Sequence, residues 1–107
     1  MNIGFANLDQ GYYETAESQI EQAVATHRNM KETLLTGYGL MMLGLVRYAK
    51  GDLDGCAYIS LETEKLGRES NTNFVVWGAF EHRALVAWRR GRPEEAGQWI
   101  RKAEKLK

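Results

Sequence analysis

Apolar and small residues recur along this chain at helical spacing, and the pattern repeats itself. Gly11, Gly51 and Gly91 stand forty residues apart, and their surroundings agree in character. Seven residues before each glycine is a small residue (Gly4, Gly44, Ala84), and six before it a large apolar one (Phe5, Leu45, Leu85). Three before it stands Leu8, Tyr48 or Trp88. Five after it a small side chain recurs as Ala16, Cys56 and Ala96; nine after come Ile20, Ser60 and Ile100; twelve after come Ala23, Thr63 and Ala103. Residues seven apart stack on one helical face after two turns, so the last columns mark one face of a helix that follows each glycine. The glycine follows a helix ending in basic residues (Arg47 and Lys50; Arg89 and Arg90). Positive charge suits a helix C-terminus, and glycine enters the left-handed geometry just beyond it without a Cβ clash.

These signals predict a short helix over 2–9, then helices over 12–27, 31–49, 53–66, 73–89 and 93–105. Pro93 falls at the start of the last helix, where its missing N–H costs little, and Glu94 and Glu95 favour its first turn. Gly67 to Asn73 reads as a loop with Ser, Asn and Thr available as N-caps. The expectation is an all-α chain, one domain over 1–107, with a partial repeat at 1–28 and full repeats at 29–68 and 69–107. A helix pair cannot bury its apolar side alone, and about three repeats are the minimum for stability. The first copy has far fewer residues before its glycine than the others. The chain therefore reads as a piece of a longer array, or as one that completes itself by pairing with another chain.

These columns resemble the tetratricopeptide repeat (TPR). Leu43-Gly44, Gly51 and Cys56 match its signature in the middle unit, and Ala84, Gly91, Ala96 and Ala103 match in the last. The forty-residue period is longer than the 34 of the commonest form. It is similar to the longer repeats of bacterial signalling ATPases and of large transcriptional activators, where runs like Leu43 to Asp52 are common. Departures are Arg83 in place of a leucine, and Arg47 and Ala87 where an aromatic is usual. The resemblance implies antiparallel helix pairs stacked as a right-handed solenoid, whose first helices line a concave surface that grips a peptide or protein. A second reading it implies is the effector-sensing arm of a larger ATPase or transcriptional regulator.

Composition narrows the field. Lys+Arg and Asp+Glu number 14 each, and this zero net charge argues against a dedicated nucleic-acid binder or a membrane-surface peptide. The most apolar run, Leu34 to Val46, is 13 residues, too short for a bilayer span of about 20. One cysteine excludes an internal disulfide framework and any multi-cysteine metal site, and makes a reducing cytoplasm the expected compartment. Charge is uneven, with 6 basic and 10 acidic residues in 1–79 against 8 and 4 in 80–107. That asymmetry suggests head-to-tail attraction between Glu14, Glu17 and Glu21 of one copy and the basic end of another, supported by Trp99 and Ile100 on an uncapped last helix.

No catalytic, cofactor or metal constellation emerges. His27 and His82 lack ligand-spaced partners. His27 is expected at an exposed helix end, and His82 on the inner surface. Cys56 shares its column with two alanines, which assigns it to a helix crossing. Gly37-Tyr38-Gly39 and Gly44 lack the strand and the Gly-Lys-Ser/Thr of a phosphate loop, and read as helix packing. Arg89-Arg90-Gly91-Arg92 beside Trp88 is the one cluster suited to phosphate, though helix-end charge explains half of it. The partner-binding candidates are an aromatic and Met stripe, Tyr38, Met41 and Tyr48, with Trp77, Glu81, Trp88 and Arg89 at comparable places forty residues on. Core packing is expected for Leu45 and Met42. Aromatics and Arg are the types enriched in interface anchors.

Overall fold

The computed structural model describes the backbone of residues 2–106 and the side chains of residues 11–106. Five helices follow one another in this range: α1 (Asn2–Asn29), α2 (Thr33–Ala49), α3 (Leu53–Glu69), α4 (Asn73–Arg89) and α5 (Pro93–Glu104). Each packs on the next, and α2 also touches α4.

The four connections are one motif used four times. Residues 31, 51, 71 and 91 all have positive φ, at 58°, 91°, 54° and 75°. In each turn the N–H of that residue donates to the carbonyl three residues back, and the next N–H to the carbonyl five back. For α2 these bonds are Gly51 to Tyr48 O at 3.0 Å and Asp52 to Arg47 O at 2.8 Å. This is the Schellman arrangement, which satisfies the orphan carbonyls of a helix end. The same residue that closes one helix opens the next, and Asp52 shows it best: its carboxylate accepts from the Gly55 N–H at 2.8 Å.

The turn period is thus twenty residues, half the period legible in the sequence. Gly51 and Gly91 advertise two of the turns, whereas Lys31 and Asn71 occupy the equivalent left-handed positions without a glycine. Two expectations are corrected. Gly11 is not a turn, and α1 runs through it as one helix of 28 residues in place of the predicted pair over 2–9 and 12–27. A mid-helix glycine costs only about 1 kcal/mol relative to alanine. The predicted loop over 67–73 shrinks to three residues, because Gly67 belongs to α3 and lies against Val76 of α4, a contact that a Cβ would obstruct.

Small residues set the spacing between helices. On the α2–α4 seam Gly37 faces Val75, Gly78 faces Met41 and Gly44 faces the His82 ring. On the α1–α2 seam Gly39 faces Val24. Behind these seams lie two apolar clusters. Val24, Leu40, Leu43 and Ile59 join α1, α2 and α3, and Val76, Phe80 and Ala103 join α4 and α5. Burying each large apolar side chain stabilises by about 1.5–3 kcal/mol.

Two arginines tie the layers together. Arg47 donates to Glu17 at 2.8 Å and Glu21 at 3.1 Å on α1, and Lys50 joins it on Glu17 at 2.5 Å. The Lys50 hydrogen bond, helped by Arg47, holds the Glu17 carboxyl below the usual carboxylate range. Arg83 donates to Glu64 at 2.6 Å and to the Ser60 hydroxyl at 3.0 Å on α3, while its guanidinium lies 4.9 Å from the Trp99 ring centre on α5. Burial pushes the Glu64 carboxyl up, but hydrogen bonds from Arg68 and Arg83 outweigh it and the net direction is down.

Candidate protein-binding face

With Gly37, Gly44, Leu40 and Leu43 turned to the neighbouring helices, α2 leaves a second set of large apolar residues outward. Leu34, Tyr38, Met42 and Leu45 follow i, i+4, i+8, i+11 spacing, which places them on one face. Their exposures lie between 42% and 55%. On α4, Phe74, Trp77, Glu81, Leu85 and Trp88 form the matching stripe, with Phe74 49% and Trp88 66% exposed. The stripes meet where Tyr38 packs edge-on against Phe74 at 5.7 Å and Phe74 stacks on Trp77 at 5.8 Å. Such aromatic pairs hold the rings in fixed orientations. Asn73, Phe74, Trp77 and Leu106 line an open hollow at this end. At the other end the Arg89 guanidinium covers the Tyr48 ring at 5.1 Å.

Of the candidates read from the sequence, Tyr38 and Trp88 are exposed, whereas Trp77 and Glu81 are half-buried, with Trp77 packed against the Val76, Phe80 and Ala103 cluster. Tyr48 and Arg89 form a pair that closes the α2–α4 seam. Met41 points sideways against Gly78 and is half-buried. The core assignment of Met42 and Leu45 is corrected: they are 55% and 45% exposed. The one-residue difference between Met41 and Met42 is 100° around the helix, which decides between seam and solvent. Sequence reasoning missed Phe74, although its place three residues before Trp77 puts both on one face.

The remaining polar groups are mostly engaged within the chain. His82 is fully buried rather than on the inner surface, its Nδ1 has no hydrogen-bond partner, and burial lowers its pKa to about 4. His27 accepts or donates at 2.9 Å with Glu32. Cys56 is fully buried, as its column suggested, and burial together with Asp52 raises its thiol to about 11, an unreactive value. In the arginine cluster, Arg90 pairs with Asp54, Arg92 lies 3.7 Å from Glu95, and Arg89 covers Tyr48. Glu17 and Glu21, expected to face another copy, are instead bound to Arg47. Trp99 is half-covered by Phe80, Arg83 and Lys102, while Ile100 is 51% exposed.

Among the described residues no helix is long and apolar enough to cross a membrane, and no three His, Cys, Asp or Glu side chains gather as for a metal ion. No family model, curated protein or solved structure matches the chain.

Proposed function

We propose that this chain is a non-catalytic protein-interaction module, a TPR-like right-handed solenoid that holds a peptide or protein on the α2/α4 face. The observation that carries this reading is the set of exposed large apolar residues Leu34, Tyr38, Met42 and Leu45 on α2 with Phe74 and Trp88 on α4, Tyr38 and Phe74 being in contact. Monomeric proteins rarely leave so many neighbouring large apolar side chains in water unless the patch is used. Contact between α2 and α4 supports it too, since it brings the exposed residues of the two helices together. A ligand segment with apolar residues at helical or alternating spacing matches the stripe, with Tyr38, Phe74, Trp77 and Trp88 as anchors.

A peptide-display selection on the immobilised chain tests the reading. Tyr38→Ser with Phe74→Ser exposes no core, so the variant should keep its helical circular dichroism. It should bind the selected peptides at least about tenfold more weakly, since an anchor residue contributes at least about 1.4 kcal/mol. Unchanged affinity in the folded variant, or no peptide selected by the parent chain, would overturn the proposal.

A further inference from the structure

We infer that the open end formed by α4 and α5 takes a basic amphipathic helix of a second protein, seated there as α4 itself is seated on α2 and α3. Two sets of contacts define the seat of α4. It meets α2 at Gly37, Met41 and Gly44, and it meets α3 at Ser60 and Glu64. Forty residues on, those five places are held by Trp77, Glu81, Ala84, Ile100 and Glu104. Four of the five, all but Ala84, line one hollow together with Ala103. The hollow is therefore the place of a helix that repeats the step from α2 to α4. Exposure agrees: Ser60 is fully buried beneath Arg83, whereas its counterpart Ile100 is 51% exposed.

The same register specifies the chemistry of the occupant. Arg83 of α4 donates to Glu64 at 2.6 Å. Glu104 is the counterpart of Glu64, is exposed, and forms no ion pair among the described residues; nor does the half-buried Glu81. Carboxylates flanking an exposed Ile100 and a half-buried Trp77 complement a helix that is apolar on one stripe and positive beside it. In the seat of α4, Val75 and His82 face Gly37 and Gly44, and Gly78 faces Met41. Against Trp77 and Ala84, which are larger than those two glycines, the incoming helix needs small residues in the places of Val75 and His82. Against Glu81 it needs a lysine in the place of Gly78, and Glu104 takes an arginine in the place of Arg83. The occupant thus reads as a small residue, a lysine three later, a second small residue seven later and an arginine eight later. This site goes beyond the face proposed above. It shares Trp77 with that face but not Tyr38 or Met42, so the two fail separately.

A labelled peptide of residues 73–89 carrying Val75→Ala, Gly78→Lys and His82→Ala has this pattern, and fluorescence anisotropy measures its binding to the whole chain. The parent should bind it, and Glu104→Arg on the exposed side of α5 should weaken binding about tenfold or more. A peptide that also carries Arg83→Glu should prefer the Glu104→Arg chain to the parent, a reversal that loss of folding cannot produce. Tyr38→Ser with Met42→Ser should leave the affinity unchanged. No binding by the parent, or binding indifferent to the charge exchange, overturns the inference. Equal weakening by Tyr38→Ser with Met42→Ser does so too, because it would move the peptide to the α2/α4 face. A dimer of the chain alone that Glu104→Arg dissolves, read by light scattering, would give the seat to a second copy and overturn it as well.

Discussion

His82 should make this protein acid-sensitive well above the range in which its carboxylates matter. The ring is fully buried over Gly44, and burial lowers its pKa from the ordinary 6.5 to about 4. In the unfolded chain it takes a proton near pH 6.5; in the folded chain it stays neutral until about pH 4. Between these limits the unfolded state binds more protons, so stability falls as pH falls, and above about 7 the effect vanishes. Each pH unit inside the window is worth about 1.4 kcal/mol, so the drop from pH 7.5 to 5 removes about 2 kcal/mol, a large share of a total of about 5–15. Glu17 and Glu64, whose pKa values are lowered, lose their contribution only below the unfolded carboxylate range, outside this interval. His82→Phe keeps a planar ring over Gly44 and removes both the titration and the unpartnered Nδ1. Urea unfolding followed by circular dichroism, for parent and variant at both pH values, gives the comparison. His27 and every carboxylate are common to both chains, so the difference isolates His82. The parent should lose about 2 kcal/mol more than the variant. Equal losses would refute the reasoning, because they would mean that the ring titrates freely in the folded state.

The seam beneath that ring predicts the cost of a single methyl group. A Cβ at Gly44 would stand 2.6 Å from His82 Nδ1, so Gly44→Ala should destabilise by about 1–3 kcal/mol despite better helix propensity. Combined with His82→Ala it should cost nothing further, and a neutral Gly44→Ala alone would contradict the packing. Lys31 adopts φ 58° without being glycine, so Lys31→Gly should raise stability by about 1 kcal/mol and the midpoint of thermal unfolding by a few degrees, whereas Lys31→Ala should not.

Much of the fold was legible because turn chemistry and small-residue columns are local signals. Gly51, Gly91 and Pro93 mark their boundaries unaided, and α2, α4 and α5 run close to the predicted ranges. The half-period was hidden because Lys31 and Asn71 hold the same backbone geometry under different side chains, the strain at Lys31 being borne by the Schellman hydrogen bonds. Gly11 misled in the opposite sense, since a helix tolerates a glycine that a turn prefers. The candidate face was half legible. Tyr38, Trp77 and Trp88 announce themselves as aromatics, but the choice between Met41 and Met42 depends on where α4 crosses α2, a tertiary fact set by Gly37, Gly44 and Gly78. Arg83 and Arg47 look like lapses from the repeat until their partners on other helices are known.

The most direct test of the central claim is amide chemical-shift mapping of the labelled chain against a selected peptide ligand. The account predicts shifts concentrated at Tyr38, Met42, Leu45, Phe74, Trp77 and Trp88, with α3 residues such as Tyr58 and Leu61 unmoved. Shifts centred on Tyr58 and Leu61, which are exposed on α3, would place the interaction elsewhere and contradict it.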